Sequence, residues 1–224
     1  MQTLEFGEMV RVAVADIKDF EYLNIIEIYE SYRYYIQDYD HIYKYKNIRD
    51  RILGALGKIL VFKSLENINT PLLKISKDAK GKPFFENVSN NLFLSISHAK
   101  DKVVVAVSTF ELGIDIEYIN KIDFRDIKNI LPNDVAISIL KNENWMKTFH
   151  VEWSKRESLY KCNNKLLSIS TELSNKQYLY LCNKCYYFNE IFIDDQYSCS
   201  IVLDLTSDKE NNFRAIEVNS LACI

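Results

Sequence analysis

The sequence predicts an α+β fold in two halves of similar size that pack together, each a small antiparallel sheet with a long helix. Three observations favour this fold. The chain has 224 residues, enough for one large domain or two small ones. Strand-like and helical segments follow one another in an order that repeats roughly twice. No low-complexity linker separates the parts, so we expect halves of residues 1–112 and 113–224 that meet near Glu111 to Gly113.

The first half begins with a strand-like run, MVRVAV, followed by a tyrosine-rich amphipathic stretch, YLNIIEIYESYRYYIQDYD. Residues 45–63 carry apolar side chains at helical spacing, which predicts a long helix. A Gly-Lys-Pro triplet at 81–83 marks a turn. Residues 92–119 are typical of successive strands, with breaks at SHAKDK and TFEL.

The second half is expected to hold three helices, at FRDIKNIL, DVAISILKN and MKTFHVEWSKRESLYKC, before a strand-rich tail. The tail strands are YLYLC, CYYFNEIFI and YSCSIVLDL. Cys182 and Cys185 form a CxxC motif, which we interpret as two strands around an Asn-Lys turn. No second CxxC or nearby His pair completes a zinc set, so structural cysteines are favoured over metal or redox chemistry.

Charge and hydropathy exclude several classes of function. The net charge is -3, from 28 basic and 31 acidic side chains, so the protein is not a polycation that coats nucleic acid. No apolar run approaches the ~20 residues that span a bilayer, and the N-terminus lacks a signal-peptide pattern. Five cysteines without a framework spacing indicate a reducing cytosol. We therefore expect a cytoplasmic protein that binds neither nucleic acid nor membrane.

Two carboxylates stand in the apolar run LGIDIE. Asp115 and Glu117 are two residues apart in a predicted strand, so they project from the same face. Like charges on a half-buried strand repel one another and resist desolvation. Further along the chain, Trp153, Glu157 and Lys161 are spaced i, i+4 and i+8, on one face of a predicted helix.

If that helix packs over the strand, Asp115, Glu117 and Glu157 form a cluster that needs a cation. Oxygen ligands without His or Cys select Mg²⁺, with Mn²⁺ as an alternative. Magnesium usually shares its ligand shell with substrate phosphates, so the cluster implies a phosphate-bearing ligand. The alternative is a surface pair of Glu157 with Lys161, with the strand carboxylates solvated.

Four motifs occur in a recognisable order: GKP at 81–83, LSISHA at 94–99, GIDIE at 113–117 and WSKRESLYK at 153–161. In order and spacing the sequence resembles the Sfp-type 4'-phosphopantetheinyl transferases. RDR at 49–51 is a shorter match to the Arg-x-Arg of that family. The resemblance covers the middle of the chain, from Arg49 to Lys161.

The resemblance implies a transferase with two pseudo-symmetric α+β halves. Members of the family bind coenzyme A and Mg²⁺ in a cleft between the halves. They transfer the 4'-phosphopantetheine arm to a serine of an apo carrier protein and release adenosine 3',5'-bisphosphate. The implied partner is an acidic, helical acyl, peptidyl or polyketide carrier protein. A two-half chain further implies a monomer and favours carriers of secondary metabolism.

The resemblance also assigns residues. Asp115, Glu117 and Glu157 would hold the magnesium. Lys161 would take the serine proton or hold the transferring phosphate, and Glu157, acting through a metal-bound water, is the other candidate base. These residues fall in 113–224. Coenzyme A would be bound by Lys161 and by residues of 1–112, namely Arg49, Arg51, Lys82, Pro83, Ser97 and His98.

Several of the predicted coenzyme A residues have a structural alternative. His98 could be a structural histidine with satisfied hydrogen bonds. Gly81-Lys82-Pro83 could be an ordinary exposed turn. Arg49 and Arg51 combine guanidinium groups with a helix N-terminus, which suits an anion, but they could also form a solvated basic face.

The chain departs from the family pattern at three places. Arg156 replaces the lysine before the metal-binding glutamate. The loop after Lys161 reads CNNKLL at 162–167 and lacks the usual glycines, so it should follow another path. The family's acidic residue between the last two motifs is missing, and Asp134 in ILPND is the nearest carboxylate.

Two other functions stay open. One is a coenzyme-A-binding relative that no longer transfers the arm and acts as an interaction or regulatory protein. The other is a metal-dependent nuclease, since strand carboxylates and a lysine also describe that chemistry.

Overall fold

Helices and small antiparallel sheets make up the fold, which confirms the expected α+β class. The structure is a computed structural model and describes residues 9–20, 22–37, 39–66, 73–86, 92–163, 169–206 and 217–220. The chain divides between Glu111 and Leu112 into two compact units, and strand Glu217–Ser220 is grouped with the first. Whether residues 1–112 and 113–224 form pseudo-symmetric halves stays a prediction.

The first unit is a sheet with a long helix on one face. Its described strands and α-helices are β1 (Val10–Asp16), α1 (Tyr22–Ser31), α2 (Ile48–Leu65), β2 (Ile75–Lys77), β3 (Pro83–Phe85), β4 (Phe93–Ala99), β5 (Lys102–Ser108) and a C-terminal strand, β10 (Glu217–Ser220). The main sheet has the order β10-β1-β5-β4, with β10 parallel to β1 and the other pairs antiparallel. β2 and β3 form a separate antiparallel hairpin.

The long helix α2 was predicted over residues 45–63 and runs from Ile48 to Leu65. It begins there because the side chain of Asn47 accepts a hydrogen bond from the amide of Arg49, at 2.9 Å. Gly57 lies against the sheet, where a Cβ atom would be 2.9 Å from the side chain of Ile96. The helix and the sheet share a core that includes Leu53, Leu56, Ile59, Leu60, Val103, Val105 and Val107.

The second unit also begins with a strand, continues with helices and ends with strands. It contains β6 (Glu111–Tyr118), α3 (Phe124–Ile130), α4 (Asn133–Leu140), α5 (Trp145–Asn163), β7 (Tyr178–Leu181), β8 (Lys184–Glu190) and β9 (Tyr197–Asp204). Its sheet has the order β6-β9-β8-β7. In the first unit β1 lies beside β5, and in the second unit β6 lies beside β9. In each unit a long helix, α2 or α5, comes between these two strands in the chain. The three helices expected in this part of the sequence are confirmed.

The predicted turn at the CxxC motif was wrong by one residue. β7 ends at Leu181 and β8 begins at Lys184, so the two turn residues are Cys182 and Asn183. Both have positive φ, 50° and 62°, as a tight hairpin turn between twisted strands requires. The thiols of Cys182 and Cys185 are free, and Cys182 is exposed.

Two further sequence predictions concern the loop after Lys161 and the absence of a membrane span. The altered loop after Lys161 falls largely on residues 164–168, which lie outside the described residues. Among the helices that the structure describes, none has both the length and the apolar character that a bilayer span requires.

Candidate functional site

Helix α5 lies in backbone contact with strand β6 at Gly113. A Cβ atom on Gly113 would be 2.0 Å from the carbonyl oxygen of Ser158 and 2.6 Å from the amide nitrogen of Cys162. No residue with a side chain fits there, so the glycine of the GIDIE motif sets the distance between helix and strand. That close approach is the local feature on which the rest of the site depends.

Small polar residues extend the close packing onto the neighbouring strand, β9. The hydroxyl of Ser154 lies 2.8 Å from that of Ser200 and 3.1 Å from that of Ser198. All three serines are buried, and they form hydrogen bonds to one another where α5 crosses the sheet. The site is therefore supported by a rigid contact between helix and sheet.

Contacts along the two elements show that α5 runs antiparallel to β6. Asp115 contacts Lys161, and the indole of Trp153 is close enough to Glu117 to lower the pKa of that carboxyl. Beyond the end of the strand, the peptide group of Asn120 lies 3.1–3.2 Å from a ring nitrogen of His150. Residues later in β6 therefore contact residues earlier in α5, as two antiparallel elements do.

This alignment gathers the predicted metal and catalytic residues of the second unit. We call Asp115, Glu117, Glu157 and Lys161 the carboxylate cluster. Asp115 is buried, at 4 % exposure, and its carboxylate is 2.6 Å from the ammonium of Lys161. Glu117, Glu157 and Lys161 are half-buried. The expectation that α5 packs over the GIDIE strand is met.

The cluster holds more negative charge than Lys161 neutralises. Burial, together with the charges of Asp115 and Glu157, raises the pKa of Glu117 to about 7, against the opposing effects of Lys161 and Trp153. Burial and the charge of Asp115 also raise the pKa of Glu157. Carboxylates whose pKa values are raised by burial and by one another mark a candidate functional site.

The side chains, as they lie, do not converge on one point. Among the described residues, no group of three or more His, Cys, Asp and Glu side chains is arranged to hold a metal ion. Asp115 is instead paired with Lys161, an ion pair that the sequence reasoning did not foresee. The metal role of Asp115, Glu117 and Glu157 stays a prediction.

Apart from Lys161, the predicted coenzyme A residues lie in the first unit, where Arg49 contacts the turn that follows His98. Arg49 pairs with the carboxylate of Asp101, and its Nε donates to the carbonyl of Lys100, at 2.9 Å. His98 is exposed at the end of β4, two residues before Lys100. Lys18 also pairs with Asp101, at 2.8 Å. Arg49, at the N-terminus of α2, thus contacts the turn between β4 and β5 that follows His98.

Arg51 takes a different direction from Arg49. Its guanidinium donates to the carbonyl of Tyr45, at 3.1 Å, and lies 5.8 Å from the ring centroid of Tyr43. The guanidinium groups of Arg49 and Arg51 therefore do not lie together on one surface. Ser97 is buried in β4, opposite Val104 of β5.

The Gly-Lys-Pro triplet forms a tight turn, as its sequence predicts. Gly81 has a φ of 85°, and the Asp78 side chain accepts a hydrogen bond from the amide of Lys82, at 2.8 Å. The ammonium of Lys82 lies 3.5 Å from the carboxylate of Glu111, and Pro83 opens β3. The hydrogen bond to Asp78 therefore fixes the backbone at Lys82.

Sequence reasoning missed a buried ion pair on α5. Arg156 and Glu152 are both fully buried, 2.7 Å apart, and Arg156 also donates to the carbonyls of Ile169 and Thr171. The Glu152 carboxylate accepts from the amides of Leu173 and Ser174, each at 2.6 Å. The i, i+4 spacing of opposite charges is visible in the sequence, but it is more often found on an exposed helix face. Arg156 therefore holds the segment that follows α5.

The remaining departure from the family pattern concerns Asp134. This residue lies in the first turn of α4 and is exposed to solvent. The described contacts do not connect it to the carboxylate cluster.

Comparison with known proteins agrees with the motifs. No model of a known protein family matches the chain. Over 127 residues, the chain is 30% identical to 4'-phosphopantetheinyl transferase gsp of Aneurinibacillus migulanus. The aligned part is 54% of this chain and 52% of that protein, so the chain spans about half the length of the curated relative it matches. This similarity supports the resemblance to the Sfp-type 4'-phosphopantetheinyl transferase family.

Proposed function

We propose that the protein transfers the 4'-phosphopantetheine arm of coenzyme A to a serine of an apo carrier protein. Adenosine 3',5'-bisphosphate is the other product, and the reaction depends on Mg²⁺. The observation that carries the proposal is the carboxylate cluster, in which three carboxylates and a lysine from two motifs lie together. The similarity to a protein named as a phosphopantetheinyl transferase supports the same reaction.

The residues present suit a hard divalent cation. Asp115, Glu117 and Glu157 offer oxygen donors, and their unneutralised charge in a half-buried site favours Mg²⁺, with Mn²⁺ as a substitute. Bound there, the ion would neutralise charge that develops on the leaving phosphate.

The chain's own residues would divide the remaining work. Lys161, held by Asp115, would hold the transferring phosphate or accept the proton of the serine hydroxyl. Glu157 is the other candidate base. Coenzyme A would be bound through its phosphates and adenine by Arg49, Arg51, Lys82, Pro83, Ser97 and His98. We propose that the protein works as a monomer in the cytoplasm, on acyl, peptidyl or polyketide carriers.

One assay tests the function. Purified protein is incubated with coenzyme A, Mg²⁺ and a panel of apo carriers, and the mass of each intact carrier is measured. A gain of one phosphopantetheine arm is expected for at least one carrier, and none when EDTA replaces Mg²⁺. A Glu143→Gln variant, altered at an exposed glutamate outside the cluster, should be as active as the wild type.

Two results would favour the other functions. Coenzyme A binding by calorimetry, without transfer to any carrier in the panel, would favour a non-transferring relative. Mg²⁺-dependent cleavage of plasmid DNA would favour a nuclease.

A further inference from the structure

Asp101 lies in the short turn between β4 and β5 and contacts two cations. Its carboxylate pairs with the guanidinium of Arg49 and, at 2.8 Å, with the ammonium of Lys18. The side chain of Asp101 is 8 % exposed, whereas the side chains of Arg49 and Lys18 are 41 % and 68 % exposed. The protein therefore shields the carboxylate from solvent, while both of its cationic partners remain accessible.

The turn has a conformation that a lysine seldom adopts. Lys100 and Asp101 join β4 to β5, and Lys100 has a φ of 51°, in the left-handed region where residues other than glycine are uncommon. The carbonyl of Lys100 accepts a hydrogen bond from Nε of Arg49, at 2.9 Å. The carbonyl of Asp101 accepts one from the amide of Ile17, at 2.8 Å. Backbone strain of this kind persists where neighbouring groups hold it, and it is often found beside bound ligands.

The contacts with the turn orient the guanidinium of Arg49 and leave part of it for a ligand. A guanidinium has five N–H donors in one rigid plane. Those on Nε and Nη2 contact Lys100 and Asp101, and the side chain of Arg49 makes no other hydrogen bond within the described part of the chain. The donors on Nη1 are therefore available to an anion that approaches from solvent.

We propose that Asp101 is a positioning residue, which orients Arg49 so that its remaining donors bind a phosphate of coenzyme A. The inference rests on the proposed function, in which Arg49 contacts coenzyme A. Arginine binds phosphate through N–H groups aligned with the phosphate oxygens, and a guanidinium that is already oriented loses less side-chain freedom on binding. The benefit of this orientation outweighs the repulsion between the Asp101 carboxylate and the bound phosphate.

The first experiment removes the charge of Asp101 and measures coenzyme A binding by calorimetry. Asp101→Asn is expected to bind about 10-fold more weakly than the wild type, since a charge-assisted hydrogen bond to phosphate is worth about that factor. Repulsion alone predicts the opposite, because loss of a nearby negative charge should tighten the binding of an anion. Unchanged or tighter binding would overturn the inference. Asp19→Asn, at an exposed carboxylate next to Lys18 in the chain, is the matched control and should not weaken binding.

A double-mutant cycle with Arg49 separates positioning from a general loss of packing in the turn. In an Arg49→Met background there is no guanidinium to orient, so adding Asp101→Asn should weaken coenzyme A binding by less than about 2-fold. An equal loss in both backgrounds would show that Asp101 acts only through the packing of the turn and would overturn the inference.

Transfer kinetics provide a second readout. Asp101→Asn should raise KM for coenzyme A by about 10-fold and leave kcat within about 2-fold of the wild type, as loss of a contact made equally in the ground state and the transition state does. Normal coenzyme A binding and normal transfer by Arg49→Met would overturn the inference and leave the proposed function intact. A wild-type protein that neither binds coenzyme A nor modifies any carrier would overturn both.

Discussion

The ammonium of Lys161 lies 2.6 Å from a carboxylate oxygen of Asp115, although 46 positions separate the two residues in the chain. The pair joins the GIDIE strand to the C-terminal part of α5. In it, a candidate catalytic base is held by a candidate metal ligand. Changing either residue should therefore affect the other.

Lys161→Met should leave coenzyme A binding within a few-fold of the wild type but slow the transfer step by about 10²- to 10⁴-fold, as loss of a proton-transfer group does. Single-turnover transfer to an apo carrier and calorimetry with coenzyme A measure the two effects separately. Lys141→Met, at an exposed lysine, is the control. Undiminished turnover in Lys161→Met would exclude this residue as the base.

Asp115→Asn should abolish transfer, because it keeps the shape of the side chain but removes the charge that binds Lys161. Glu117→Ala and Glu157→Ala should do the same through loss of a cation ligand. Carrier mass after overnight incubation with coenzyme A and Mg²⁺ is the measurement. Full activity in an Asp115 variant would end the argument for a metal site.

Gly113→Ala should destabilise the protein by about 3 kcal/mol or more, since the new methyl group would overlap the Ser158 carbonyl. Urea unfolding measures the loss. Gly54→Ala is a suitable control, because its nearest neighbour is the edge of the Tyr45 ring, at 3.3 Å. That change should stay within about 1 kcal/mol, since alanine favours a helix more than glycine does. Equal stability of the two variants would refute the close approach of α5 to β6.

The charge of Glu117 should make the metal-free protein less stable at high pH. Its pKa is about 7 in the folded protein and 4.5 ordinarily, so the folded state binds more protons between these values. The contribution of Glu117 to stability is therefore complete below about pH 4.5 and is lost as pH rises through 7, about 3 kcal/mol in all. Urea unfolding in EDTA from pH 5 to 8 should show the decrease, and Glu117→Gln should reduce it. If stability decreased with pH equally in the wild type and in Glu117→Gln, the charge of Glu117 would not be the cause.

Breaking the buried pair on α5 should cost far more than breaking an exposed one. Arg156→Met leaves the Glu152 charge buried, and we expect a loss of about 3–5 kcal/mol in the free energy of unfolding. Arg125→Met breaks the exposed pair with Asp123 and should cost under about 1 kcal/mol. Chemical denaturation of both variants provides the comparison. A small loss in Arg156→Met would mean that the segment after α5 is held by other contacts.

Local pattern predicted much of this molecule. The i, i+4, i+8 spacing placed Trp153, Glu157 and Lys161 on one face of α5, and strand alternation placed Asp115 and Glu117 together. Both predictions depend only on the side-chain periodicity of a helix or a strand, which can be counted along the sequence.

What escaped prediction depends on contacts between distant segments. The burial of Arg156 depends on carbonyls at Ile169 and Thr171, and the pairing of β10 with β1 joins the two ends of the described chain. The one-residue error at Cys182 has a local cause, since many residue pairs can form a tight turn and only the register of the strands decides between them.

The absent side chain at Gly113 also limits how the site could be redesigned. Because the backbone of α5 contacts Gly113 of β6 directly, no side-chain substitution can change the distance between helix and strand by a fraction of an ångström. An engineer who wished to fit a larger ion would have to slide the helix along the strand, and the next register that keeps the same face inward lies about 5.4 Å away.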